Sequence, residues 1–511
     1  MESLIVAVMR LAGLFGLYRL AVALYNISPF HPLHKFPGPR LASMTYAYEA
    51  YYDFWLHGKY TLRIKAMHDN YGPIVRINPD ELHCADPDML DEIYAGGNRA
   101  REKWEHYTGF MLGPLSKAGF ATISHDIHRV RKGAMARYFS RAQMLKLEDE
   151  IRDFTVRTVD KMLLRAGGAD FNVKEVFNCH TADIISQYCF GQSMGFTDQK
   201  GFEPNFGTWV KSFLKTCYLV RHLARNVPGI GAIANTAPYF ANYMGEDMRR
   251  VYDQQEVQIP RHINRAISNK ENGRVFAELL ASPLLPESDK SIKRLAGEGF
   301  TLLMAGTETT AATLSYIVYR LLSEPAMLKR LEKDMEGFDF ENPKWTQLER
   351  IPYLWAIIHE ALRLTPGISH RSARKAPLEE LVYSKGNLHY TIPRGTPIGM
   401  SSMIQNQDST LFPDPGEFKP ERWLLAEDGQ QNYALERKLL SFGRGSRICL
   451  GMDLAYCEMY LMVAELVHRV LPHARLVDTT LENIEYDHDC IVPSPKSGFI
   501  AVRIAIDEEK Y

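Results

Sequence analysis

The chain is poor in what several function classes require. Lysine and arginine (60) nearly balance aspartate and glutamate (61), giving a net charge of −1. It therefore lacks the basic stripe of a nucleic-acid-binding protein. Cysteine is scarce: seven residues (84, 179, 189, 217, 449, 457 and 490) are scattered over 511 positions. That odd, sparse set excludes a disulfide framework and points to a reducing compartment for the bulk of the chain. Internal repeats and low-complexity tracts are missing as well, so neither a solenoid nor a compositionally biased segment is expected. The length would accommodate about three domains, yet residues 120–350 are helix-periodic and contain no linker.

Long hydrophobic runs are rare with one exception. "LIVAVMRLAGLFGLYRLAVALY", residues 4–25, meets the length of about 20 residues that a helix needs to cross a bilayer. Arg10 and Arg19 interrupt it on opposite faces, so they form no polar stripe and each must snorkel to a headgroup. Arg10 also splits the apolar region of any signal peptide, and no small-residue cleavage site follows. Residues 1–28 are read as a retained membrane anchor, spanning the bilayer or lying in its interface. Residues 29–40, with four prolines, follow as a stiff linker, and 41–511 as one large domain.

Within that domain, "PIVRINP" and "ELHCADP" alternate in polarity between turn residues, which predicts a small antiparallel hairpin. A second weak β region falls in 387–402. "DLAYCEMYLMVAELVHRVLP", residues 453–472, is apolar on more than one face, as a buried helix is. The fold class expected is mainly α with small β-sheets.

"SFGRGSRICLGMDLAYCEM", residues 441–459, could serve phosphate binding, a shared metal or a single thiolate. Gly443 and Gly445 lack the third glycine of a dinucleotide fingerprint, and no strong strand precedes them. Cys449 and Cys457, eight apart, would lie about 12 Å apart along a helix, too far to share an ion whose bonds to sulfur are about 2.3 Å. Cys457 is read as a small buried hydrophobe. Cys449 follows Arg447, is framed by Gly445 and Gly451, and precedes a helix whose N-terminal dipole favours a thiolate.

"FGRGSRICLG", with Phe442, Gly445, Arg447, Cys449 and Gly451 in the spacing F-x-x-G-x-R-x-C-x-G, resembles the haem-binding signature of the cytochrome P450 superfamily. Its cysteine thiolate is a haem ligand that favours O–O cleavage. Three further motifs stand in the family order. Glu360 and Arg363 in "HEALR", with Arg422 in "FKPERW", resemble a buried structural ion-pair set. "AGTETT", residues 305–310, reads on composition as the centre of a bent core helix. By resemblance it is the oxygen-activating helix, with a local distortion and an acid–alcohol pair, Glu308 and Thr309, that relays protons. Arg374 and Arg447 match positions that bind the haem propionates, though solvated surface charge is the plainer reading of each. "HDIHRVRKGAMARYFS" resembles the family's W-x-x-x-R helix, with His128 for the tryptophan and Lys132 for the arginine.

The resemblance covers roughly residues 32–505 and implies the P450 fold, a haem b (iron protoporphyrin IX) with Cys449 as its metal ligand, and monooxygenase activity. No flavin or nicotinamide module follows in the 62 residues after Cys449. Electrons are therefore expected from an NADPH–cytochrome P450 reductase, with cytochrome b5 as a second candidate donor. Arg129, Arg131, Lys132, Arg137 and Arg141 would suit its docking. The N-terminal run implies the endoplasmic reticulum membrane, with the domain in the cytosol. The stretches 103–115, 213–233 and 488–495 fall at the family's pocket walls and are apolar and aromatic, which implies an apolar small-molecule substrate. The likeness to fungal natural-product members implies a terpenoid or polyketide intermediate. A haem-thiolate isomerase or dehydratase, which needs no reductase, and a non-catalytic haem sensor are the alternatives.

Overall fold

The computed structural model describes residues 2–226, 236, 239–240, 243–269 and 273–508. The part of the expected pocket wall at 227–233 lies outside them. Helix α1 (Glu2–Ile27) holds an apolar segment, Ile5–Ile27, of mean hydropathy 1.7 and long enough to cross a membrane; at its end the buried Asn26 donates its side-chain amide to the Met44 carbonyl. The proline-rich stretch after it is tied down by packing as well as by its rings. Leu33 and Phe36 are buried, and Arg76 N–H donates to the Pro37 carbonyl at 2.7 Å.

The body is mainly helical. Its principal helices are α2 (His125–Ala136), α3 (Arg141–Leu163), α4 (Val173–Phe190), α5 (Phe206–Asn226), α6 (Ile292–Ser323), α7 (Pro352–Leu364) and α8 (Met452–Arg469). Twelve short strands make four small sheets among the described residues. Strands β1 (Ile74–Arg76) and β2 (Leu82–Cys84) pair antiparallel, Ile74 opposite Cys84, as the alternation predicts. With β3 (Glu102–Lys103), β5 (Arg374–Lys375) and β8 (Ile398–Gly399) they form the order β1-β2-β8-β5-β3. Strand β4 (Phe171–Asn172) joins β12 (Arg503–Ile506) and β9 (Ala474–Leu476). The pairs β6 (Leu381–Lys385) with β7 (Leu388–Ile392), and β10 (His488–Cys490) with β11 (Val492–Ser494), stand alone.

The core is built around α6, α4 and α8, each buried along most of its length. Small residues set the spacing: a methyl added at Gly306 would meet Ile185 of α4 at 3.1 Å, and one at Gly297 would meet the Pro114 carbonyl at 2.2 Å. Helix α6 runs unbroken for 32 residues, so the expected distortion does not interrupt it. Its threonines instead return their hydroxyls to the turn before: Thr307 donates to Leu303 and Thr309 to Ala305. Cys457 is fully buried in α8, a packing residue as its spacing implied.

Glu360 of α7 is completely buried, which is tolerable only if every lone pair is used. Arg363 Nε and Nη2 donate to its two oxygens at 2.8 Å each. Arg422 Nε, Trp423 Nε1 and the Lys419 N–H add bonds of 3.1, 2.8 and 2.8 Å. Arg363 spends its remaining donors on the carbonyls of Asn406, Pro415 and Glu417. The pair thus ties α7 to the whole segment 406–423. Glu360→Ala strands a buried guanidinium, and the expected cost is about 3–5 kcal/mol, measured by denaturant unfolding of the variant.

Candidate active site

The network around Glu360 continues into the loop before α8. Asn406, whose carbonyl binds Arg363, donates its amide to the Arg363 carbonyl and to Ser441 Oγ, and accepts from the Leu440 N–H. Ser441 Oγ in turn donates to the Leu362 carbonyl at 2.6 Å. From this anchored start the chain folds back on itself: Cys449 N–H donates to the Phe442 carbonyl at 2.8 Å and Ile448 N–H to the Gly445 carbonyl at 3.1 Å. Gly445, at φ +67°, sits so close to residue 94 that an added methyl would lie 1.8 Å from the Tyr94 carbonyl. Phe442 packs its ring 5.1 Å from Tyr456 of α8.

Cys449 lies deep in the fold, yet its side chain is exposed, because it opens into an internal cavity of about 320 Å³. Phe442, Cys449 and the first turns of α8 line one side of this cavity, and Thr301, Leu302, Ala305, Gly306 and Thr309 of α6 another. Burial pushes the Cys449 thiol above its ordinary range, while the Gly451 N–H and the Lys132 charge pull the other way. Burial therefore outweighs the helix dipole that the sequence suggested would favour a thiolate; a bound cation would supply the missing stabilisation.

Lys103, Lys132, Arg374, Arg447 and His128 face the same cavity. Arg447 donates only to backbone carbonyls, those of Arg101, Thr122, Ile123 and Ser124. Arg374 bonds Ser372 and the Ala373 carbonyl, and Lys103 the Phe120 carbonyl. Among the described residues none of these four cations forms an ion pair with a carboxylate. Burial and mutual repulsion, chiefly from Arg374, lower Arg447 to about 9 and hold Lys103 well below its ordinary value. Burial and Arg447 together drive His128 down to about 2, so it stays neutral. Such a cluster is costly as it stands and suits a ligand bearing two negative charges.

On α6, Thr309 lines the main cavity and Glu308 does not. Glu308 is turned to the adjoining face, where Lys174 Nζ lies 2.9 Å from its carboxylate, with Asn178 Oδ1 holding the same ammonium at 2.8 Å. The two side chains meet again at a small void, lined also by Thr365 and Gly367.

The sequence profile of the cytochrome P450 family matches residues 48–482. The chain belongs to the cytochrome P450 family. It is 40% identical to the cytochrome P450 monooxygenase ppzE of Metarhizium majus, over 83% of this chain and 92% of that one. It is 36% identical to a tryptophan 6-hydroxylase of Fusarium equiseti (94% and 93% covered), and 32% identical to a fusicoccadiene C-8 hydroxylase of Phomopsis amygdali (94% and 92%). Its fold matches the crystal structure of a cytochrome P450, CYP102L1, with a TM-score of 0.66 at 18% identity, covering 87% of this chain and 94% of that one. As these relatives show, it is a P450 monooxygenase of the fungal secondary-metabolism type.

Membership implies a haem with a cysteine thiolate ligand, a redox partner and a small-molecule substrate. The residues fit such a group: one accessible sulfur on a cavity wall, and beside it three cations, Lys103, Arg374 and Arg447, suited to two carboxylates. The structure brings together Cys449, Phe442, Arg447, Arg374, His128 and Thr309, and leaves Glu308 beside the cavity. Lys103, Tyr94 and Lys174 were missed by sequence reasoning. Lys103 sits in the stretch 103–115 read as pocket wall, and a lone lysine among aromatic residues was the available signal. Tyr94 and Lys174 carry no local signal at all. Two glycines test the loop geometry. Gly443, at φ +69°, has open space for a methyl, so Gly443→Ala should cost about 1–2 kcal/mol of backbone strain. Gly445→Ala adds a backbone collision and should fail to yield holoprotein, as read from haem content after purification.

Proposed function

We propose that Cys449 is the axial ligand of a haem b, and that the chain oxidises an apolar terpenoid or polyketide intermediate with electrons from an NADPH–cytochrome P450 reductase. The observation that carries this reading is the pairing of one accessible sulfur with an uncompensated cation cluster at the same cavity. Arg374, Arg447 and Lys103 would hold the propionates, with neutral His128 beside them and Phe442 packed behind the Cys449 loop. When bound, the haem supplies the activation of O2 and the transfer of one oxygen atom.

The chain's own residues do the rest. Backbone bonds from Cys449 N–H to the Phe442 carbonyl and from Ile448 N–H to the Gly445 carbonyl fix the turn that presents the sulfur. Thr309 presents a hydroxyl to the cavity while its proton is lent to the Ala305 carbonyl; rotating that proton into the cavity needs no backbone movement. Behind it, Glu308 is paired with Lys174 and shares with Thr309 a void of about 10 Å³, space for about one water molecule. Proton delivery thus runs from Glu308 through that space to Thr309.

The substrate reading rests on the distribution of charge. Phe120, Leu302, Ala305 and Ile368 give the cavity apolar walls, and Tyr107 and His370 are its polar points near them. Glu298 lies on the same helix as Thr309, about 16 Å further along its axis, and is buried and held by Arg294 at 2.6 Å. With Glu298 already engaged, the apolar walls are what favours a hydrocarbon-like substrate such as the diene in the name of one relative. The docking face for the electron donor would include Arg129, Arg137 and Arg141, which are exposed, the last two beside Glu278 and Glu349. Arg131 and Lys132 are turned inward to Asp289 and to the Cys449 loop. With α1 as anchor, the endoplasmic reticulum membrane with a cytosolic domain is the consistent location, and cytochrome b5 remains a second donor.

Product formation that requires both NADPH and the reductase tests the whole reading; product formed from a peroxide substrate without them would replace it with the isomerase alternative. Cys449→Ala should lose the absorption band of the reduced CO complex that gives the family its name. In Thr309→Ala that band should persist, while NADPH oxidation yields severalfold more hydrogen peroxide per product.

A further inference from the structure

Lys132 stands at the helix position where the resemblance places an arginine for the haem propionates, and its geometry serves something else. From α2 its ammonium crosses to the Cys449 loop and donates to the Ser446 carbonyl at 3.0 Å and to the Ile448 carbonyl at 2.8 Å. These carbonyls flank Arg447, and the second belongs to the residue bonded directly to Cys449. The loop's amides are already engaged: Ser446 N–H with the Ala95 carbonyl, Ile448 N–H with Gly445, and Cys449 N–H with Phe442. What those bonds leave open is the outward side of the turn, and a single point donor bridging two carbonyls closes it. A lysine suits this task, since an ammonium can direct separate protons to two acceptors, whereas a guanidinium is a rigid plane with a longer reach.

The propionate role is meanwhile supplied without it. Arg374, Arg447 and Lys103 face the same cavity with donors to spare for two carboxylates. We propose that Lys132 is a positioning residue for the haem ligand: it pins the carbonyls of Ser446 and Ile448 and thereby sets the direction of the Cys449 sulfur. This rests on Cys449 being the axial ligand.

Resonance Raman spectra of the ferric holoprotein separate the two roles, because the iron–sulfur stretch reports on the ligand and the propionate bending bands report on the cations around the haem. In Lys132→Gln the iron–sulfur band should shift and the propionate bands should stay, while the reduced CO complex converts severalfold faster to its blue-shifted form lacking the thiolate. Lys132→Arg keeps the charge but exchanges a point donor for a plane, so the same band should move by a smaller amount. Arg447→Gln serves as the control that moves the propionate bands. Movement of the propionate bands in the Lys132 variants, or an unmoved iron–sulfur band in both, would overturn the proposal. If Lys132→Gln does not accumulate as holoprotein, Lys132→Arg is judged by the same two bands. Absence of an iron–sulfur band from the unmutated protein would instead remove Cys449 as the ligand, a failure distinct from that of Lys132.

Discussion

The buried carboxylate of Glu360 is the constraint on which the site depends. A charge with no solvent exposure must be surrounded by donors or it unfolds its surroundings. Here the donors come from α7 itself, from 419–423 and, through Arg363, from the carbonyls of 406, 415 and 417. Asn406 passes that constraint on, since its side chain bonds Leu440 and Ser441 where the Cys449 loop begins. The loop is therefore fixed at its start by a buried ion pair and at its end by the first turn of α8. Between them, Gly443 and Gly445 take the left-handed turns, and Gly445 lets the backbone lie against Tyr94. Among the described residues no side chain bonds Cys449 itself, so its position follows from that network and from the Lys132 ammonium on its loop carbonyls.

Around this rigid loop the fold accepts a local electrostatic cost. Lys103 and Arg374 are buried and Arg447 half-buried, with carbonyls and hydroxyls for partners, and burial with mutual repulsion lowers their affinity for protons. A folded chain optimised for stability alone would pair or remove them. Their retention in one place is explained by a dianionic ligand, whose charges would reverse each of those unfavourable terms. Burial and the Arg447 charge keep the His128 imidazole neutral, so it adds no further repulsion.

Helix α6 divides its labour by face. Thr309 turns to the cavity, and Glu308, one residue earlier, turns about 100° away towards Lys174 and Asn178. That separation keeps the Glu308 carboxylate off the main cavity, while both residues still line one small void with Thr365 and Gly367. The continuity of the helix shows that this needs no break; small side chains at 305 and 306 make the room.

Much of this was legible before any fold was known. The spacing around Cys449, the Glu360–Arg363 pair with Arg422, the burial of Cys457 and the apolar run of α1 are local patterns. Covalent spacing or helical periodicity brings those residues into relation whatever the rest of the chain does. Tyr94, Lys174 and Asn406 could not be read that way, because each acts on a residue more than thirty positions distant and its own neighbourhood carries no mark of the contact. The direction of Lys132 was equally hidden: its place on α2 is a matter of sequence, but whether an ammonium reaches a cavity or a pair of carbonyls depends on how α2 docks against the loop before α8. Sequence by itself determined the chemistry, since a single cysteine in that pattern belongs to a haem-thiolate enzyme. Only the tertiary structure decided which charges gather around the sulfur and which are held away from it, because electrostatic interactions act through space and are set by packing rather than by chain order.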